Sequence, residues 1–233
     1  MSTGEHLQVS LNRFFALRQH GDDTMFVERL ARLRAFQRGR LLHTHRDLFA
    51  DEQLREGLEF LLDDIYGGRE LAPVAREIRR ALPKAMRLLP ERVMATSASA
   101  LEAAILTQEL DEALVDILGE RLDEPLEIAE YTDAYRVAGG EPARRRQLIL
   151  VAALGHHIDR YVRSRAIQVT FRLVRRPAHA AGFANLYDFM DRGFRVMKPV
   201  PSVGRLLERV AARETVILDR VLTHHPSPFK DAP

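Results

Sequence analysis

The chain has 233 residues, of which 46% are hydrophobic and 29% charged, so it can bury a sizeable core and wholesale disorder is excluded. It has no cysteine, which rules out disulfides, thiolate zinc sites, cysteine-held iron–sulfur clusters and cysteine nucleophiles. All but three of the 35 basic residues are arginine, yet the 33 acids leave a net charge of only +2, too little to imply a nucleic-acid surface.

The punctuation along the chain is helical throughout, with no alternating strand pattern, no hairpin turn signal and no internal repeat. Gly21-Asp22-Asp23-Thr24 reads as a break and a helix cap, and Gly67-Gly68 as a stop. Pro73, Pro90, Pro125 and Pro142 each fall where a first helical turn would start. Pro83 is expected to end or kink a helix begun near Pro73, and Gly139-Gly140 and Pro199-Val200-Pro201 divide the later segments. About nine helical segments result, over 6–19, 23–49, 51–66, 73–82, 91–118, 125–138, 142–175, 183–196 and 202–223.

This predicts an all-α fold: a single-domain multi-helix bundle over residues 1–223, with 224–233 as a frayed tail. The segment 91–118 is apolar on two sides, so it is expected to be the central helix. The longest apolar run, Leu148 to Leu154, is far short of the ~20 residues a membrane helix needs. No signal peptide opens the chain, and a cytoplasmic location is expected.

The informative feature is what interrupts the apolar stripes. Asp159 and Glu214 stand in the middle of stripes, as do Gln37, Thr44, Gln108 and Glu112, with Asp111 at a stripe's edge and His45 flanking one. A carboxylate removed from water costs several kcal/mol unless a cation, metal or donor set compensates. Arg163, one turn after Asp159, can pair with it locally, whereas Arg160 and Arg213 point off their neighbours' faces toward other helices. The acids therefore either meet arginines and fix the packing, or converge on a cavity that binds a ligand.

Metal chemistry has weak support. The chain contains no Glu-x-x-His, the unit a dimetal bundle needs from two of its helices. Glu109-x-x-Glu112, His156-x-x-Asp159 and His43-x-x-x-Asp47 each put two potential ligands on one helical face, but such pairs are common. No P-loop, dinucleotide fingerprint or nucleophile elbow is present. Arg172, Arg175, Arg176 and His179 form a basic cluster at a helix end, which lacks the interleaved aromatics of a nucleic-acid site and reads as a solvated face.

The stretch Phe60-Leu61-Leu62-Asp63-Asp64-Ile65-Tyr66-Gly67 resembles a motif of an uncharacterised bacterial all-helical family, where it runs Phe-Phe-Leu-x-Asp-Leu-Tyr-Gly. Thr44-x-x-Asp47-Leu48, Leu82-Pro83-Lys84, Leu88-Leu89-Pro90, Glu109-Leu110-Asp111, Asp159-Arg160-Tyr161 and Arg213-Glu214 look similar to that family too. The resemblance implies an all-helical fold and candidate positions, not a reaction. Phe60 stands off its helix's main stripe, so it either touches a second neighbour or exposes an anchor for a partner.

The candidate ligand-binding set is His45, Asp64, Tyr66, Gln108, Asp111, Asp159, Arg160 and Glu214, with no metal assigned and the cofactor unknown. The leading expectation is a helical protein of unknown function with a buried polar cluster that binds a small molecule or supports a partner surface. A metal-dependent oxidase or hydrolase, using His45 or His156 with Asp64, Asp111, Asp159 or Glu214, is the alternative from a different class. A structural or adaptor domain is the third, with a homodimer around Phe60 as its sign. Neither nucleic acid nor membrane is an expected partner.

Overall fold

A computed structural model describes residues 3–17, 23–66, 71–88 and 91–230. Among these residues there is no strand, and twelve α-helices replace the expected nine. They are α1 (Thr3–Leu17), α2 (Thr24–Thr44), α3 (Arg46–Ala50), α4 (Glu52–Phe60), α5 (Leu71–Leu88), α6 (Glu91–Leu118), α7 (Ile128–Ala138), α8 (Glu141–Arg163), α9 (Arg165–Leu173), α10 (Arg175–Ala180), α11 (Ala184–Met197) and α12 (Val203–Leu222). A π-helical turn, Leu61–Tyr66, extends α4, and a 3-10 turn, Gly119–Asp123, follows α6.

The higher count comes from two expected segments that break. The 23–49 segment turns at His45, and the 142–175 segment breaks at Ser164 and Val174. At Ser164 the hydroxyl accepts the Ile167 N–H at 3.4 Å and starts a new helix, a competition for backbone donors that apolar spacing does not register. In contrast, α5 runs on through Pro83, which removes only one rung of its ladder. The breaks expected at Gly21-Asp22 and Gly67-Gly68, and the start at Pro90, lie outside the described residues. Asp23 does cap α2, accepting the Phe26 N–H at 2.9 Å.

Two apolar cores form along the bundle. One joins Leu30 and Leu33 of α2, Leu114, Val115 and Leu118 of α6, Tyr131 and Ala134 of α7, and Ile217 and Val221 of α12. The other joins Leu48 of α3, Leu54, Leu58 and Phe60 of α4, Val162 of α8, Met197 of α11 and Val203, Leu206 and Leu207 of α12. The path from α2 into α3 and the length of α12 therefore each run from one core to the other. Helix α1 covers the first half of α6 through Leu7, Leu11 and Met94, while the rest of α6 packs on α2, α7 and α8.

One open alternative is decided here and one expectation fails. Phe60 touches a second neighbour and does not expose an anchor: it is buried with its ring 5.4 Å from that of Phe189. Residues 224–230 do not fray, because Phe229 is only 7% exposed and packs on Tyr131 in the first core. The His225 N–H returns to the Arg220 carbonyl at 2.9 Å, closing the end of α12 with His224 in the left-handed region at φ 57°.

The small residue Gly155 sits where α8 meets α12. A Cβ built there would lie 2.9 Å from both the Leu207 Cβ and the Val203 carbonyl oxygen. Neither neighbour can yield without moving α12. Replacing Gly155 by Ala is expected to lower stability by about 1–2 kcal/mol, the overpacking cost less the helix-propensity gain, as read by chemical denaturation.

Candidate functional site

Where the path of α2 and α3 crosses α12, the seam between the two cores is polar. His45 occupies the turn between α2 and α3 and is only 2% exposed. Its Nε2 lies 2.8 Å from Oε1 of Glu214, and its Nδ1 faces Nη1 of Arg213 at 3.4 Å. The tautomer with its proton on Nε2 satisfies both neighbours. Arg40 donates from Nη1 to both Glu214 oxygens at 2.6 and 2.5 Å, and the two side chains are equally enclosed, each 13% exposed.

Arg213 completes the cluster. It holds Asp47 through two bonds of 2.6 and 3.1 Å and donates to the Thr44 carbonyl at 2.9 Å. That carbonyl belongs to the last turn of α2, so a guanidinium caps the helix end while tying α3 to α12. The arginine read from sequence as serving another helix does so.

A second network lies nearly two turns back along α2. Arg34 donates to Asp111 at 3.1 Å and to Gln108 at 2.6 Å, and Gln108 donates to Glu112 at 2.5 Å. Between the two networks, the Gln37 amide meets the buried Tyr131 hydroxyl at 3.4 Å. Arg34, Gln37 and Arg40 are spaced by threes, so a single face of α2 supplies both networks.

The candidates therefore do not converge on one point. His45 and Glu214 meet at the seam, and Gln108 and Asp111 meet at Arg34. Asp159 stands apart at the α8–α12 junction, where it accepts from the Ser202 hydroxyl at 3.1 Å and the Val203 N–H at 3.3 Å. It also takes the expected local pair with Arg163 at 3.4 Å. Asp159 thus secures the first turn of α12, a capping role. Arg160 is exposed, and the side chains of Asp64 and Tyr66 lie outside the described residues.

The expected metal ligands are equally scattered. His156 pairs with Glu208 at 2.8 Å, and His157 meets the Thr96 hydroxyl at 3.0 Å. Among the described residues no three His, Asp or Glu side chains come close enough together to hold a metal ion.

A cleft of about 1270 Å³ opens beside the seam, walled by α2, α7 and residues 224–230. Arg40, Thr44, Asp47 and Arg213 reach its surface, while His45 and Glu214 stand behind them. His43, Arg46, Arg136, His224, His225 and Lys230 add a basic rim, opposed by Asp47 and Asp133. Phe36, Ile128 and Phe229 supply apolar wall. Sequence reading missed this rim because its members sit on polar helix faces and in the expected tail. The only signal was a local richness in arginine and histidine.

The electrostatics divide the acids. Burial alone would push Glu214 up, but Arg40 and His45 outweigh it and hold the carboxylate at about 2. Asp47 is likewise held at about 2 by its hydrogen bonds from Arg213. For Asp111 burial dominates and its carboxyl is raised despite Arg34. Burial also pushes Tyr131 up to about 12.

A depressed carboxylate stabilises the fold above its unfolded pKa, and that contribution is lost as pH falls through the folded value. For Glu214 the window runs from about 4.5 down to about 2. Unfolding free energy is expected to drop by on the order of 3 kcal/mol through Glu214 between about pH 6 and pH 2. Glu214→Gln should remove that part of the slope, measured by urea denaturation across the range. A slope unchanged in the variant would contradict the assignment.

No helix among the described residues is long and apolar enough to cross a membrane. None of the curated proteins and none of the solved structures matches the chain. Residues 16–228 match the family described as a domain of unknown function, DUF8198. That match covers most of the sequence, and the chain belongs to this family of uncharacterised function.

Proposed function

We propose that the protein is a small-molecule-binding helical protein that takes an anionic ligand, carrying phosphate or carboxylate groups, in the cleft between α2, α7 and residues 224–230. One observation supports this above the rest: the cleft's cations outnumber its acids, and two of them, Arg46 and Lys230, form no ion pair among the described residues. Arg40, Arg46, Arg136, Arg213 and Lys230 face it against Asp47 and Asp133. Arg40 and Arg213 are engaged with Glu214 and Asp47, and Arg136 with Asp133. His43, Arg46 and Lys230 form no ion pair with any described residue.

The lining agrees with that reading, and the cleft, at about 1270 Å³, is somewhat larger than the roughly 300–1,000 Å³ of most small-molecule sites, which are mostly apolar with a few placed polar groups. Here Phe36 and Phe229 would face the ligand's apolar portion, and Arg46 and Lys230 its charges. The Arg40–Glu214–His45 cluster then serves as the rigid back wall: it fixes the arginines that reach the cleft and holds α2 against α12. In this reading the sequence-derived candidates His45 and Glu214 act as positioning residues rather than as ligand contacts.

Isothermal titration with pyrophosphate and with citrate tests it. At least one polyanion should bind with submillimolar affinity, and Arg46→Ala combined with Lys230→Ala should weaken it roughly a hundredfold or more, since charge-assisted bonds contribute about 1.5–3 kcal/mol each. No binding by either probe, or binding indifferent to both substitutions, would contradict the proposal.

A further inference from the structure

The second unusual surface is far from the cleft in sequence. From Arg160 through Tyr187 the chain holds six arginines and no acid. Helix α9 lies in this stretch and has no buried residue. Its inner side is partnered: Phe171 stacks on Tyr187 at 4.3 Å and meets Phe194 edge-on at 5.0 Å. Its outer side is also apolar. Val169 is 48% exposed and Leu173 74%, with Val174 following at 42%.

Helical geometry arranges these residues into a pattern. Val169 and Leu173 are four apart and share a face with Ala166, while Arg165 and Arg172 fall on its flank. Arg175 and Arg176 open α10 immediately beyond. Arg165, Arg175 and Arg176 form no ion pair with any described residue. Isolated exposed hydrophobes need no explanation, but an apolar stripe bordered by unpaired arginines is the pattern of a helix lying in a lipid–water interface.

We infer that α9 and the start of α10 form a peripheral docking surface for a membrane carrying anionic lipid headgroups. Charge complementarity selects this occupant. A second copy of the same face would bring like charges together. A nucleic acid would leave Leu173 and Val169 without a partner, and the one aromatic ring of α9, Phe171, is turned inward instead of outward for base stacking. A lipid surface takes the protruding apolar side chains among its acyl chains and the arginines among its phosphates, with no matching pocket required. The binding is interfacial and reversible.

Flotation of the full chain with phosphatidylglycerol-containing vesicles, against pure phosphatidylcholine vesicles, tests the inference. The protein should float with the anionic vesicles only and be released at about 1 M salt, where the screening length falls to about 3 Å. Arg172→Gln, Arg175→Gln and Arg176→Gln together should weaken partitioning roughly 100-fold, about fivefold per arginine. Val169→Asp with Leu173→Asp should weaken it at least tenfold, with far-UV circular dichroism unchanged because both side chains are exposed. Absence of flotation by the unaltered chain, equal flotation with neutral vesicles, or full retention in either variant set would overturn it. The salt release of the unaltered protein decides the matter even if a variant fails to fold. Cleft binding of pyrophosphate is read separately and is unaffected by these substitutions.

Discussion

One ionic contact organises this molecule: Arg40 of α2 on Glu214 of α12, with His45 closing the third side. The path from α2 into α3 and the length of α12 each cross the boundary between two apolar cores, and the cluster sits at the crossing. A buried ion pair contributes little net stability against an apolar replacement, since desolvation offsets much of the Coulomb gain. Its effect is on uniqueness. Leucine against leucine tolerates a slip along the axis, whereas a guanidinium against a carboxylate, backed by an imidazole, fixes where α2 stands relative to α12, while their backbones pack mainly on α6 and on α8. Arg213 extends the same constraint to α3, because its grip on Asp47 and on the Thr44 carbonyl fixes the turn at His45.

The cleft follows from that constraint. With α2 held by Arg40, its outer face and that of α7 diverge, and residues 224–230 fold between them. Phe229 enters the first core beside Tyr131 while Arg40 lies 5.6 Å from its ring, so one arginine touches the seam and the cleft segment together. The left-handed backbone at His224 allows the reversal out of α12. A glycine would adopt it with less strain, and the imidazole that stands there instead lines the cleft.

The fold class was readable in the sequence because apolar periodicity and proline and glycine punctuation are local signals. Helix boundaries were less so: Ser164 breaks a helix through its side-chain acceptor, His45 and Val174 do so with no side-chain cap, and none of the three leaves a gap in an apolar stripe. For the site, the mid-stripe positions of Glu214 and His45 correctly announced buried polar groups that need partners. Asp159 gave the same signal for a different reason, because capping a neighbouring helix also requires an acid pointing inward. The partners themselves, Arg34 and Arg40, were hidden among the many arginines, and only tertiary packing distinguishes the buried ones. The packing of residues 224–230 was missed because it rests on buried Pro228 and Phe229 and on the Arg220 bond to the Lys230 carbonyl, which composition cannot reveal.

A double-mutant cycle between Arg40→Met and Glu214→Leu tests the central claim most directly. Each single substitution strands a charge beside the cores and should cost about 3–5 kcal/mol of unfolding free energy, while the pair together should recover most of that loss, a coupling of about 3 kcal/mol or more. Additive losses, with no recovery in the double variant, would show that the contact between Arg40 and Glu214 does not link α2 to α12.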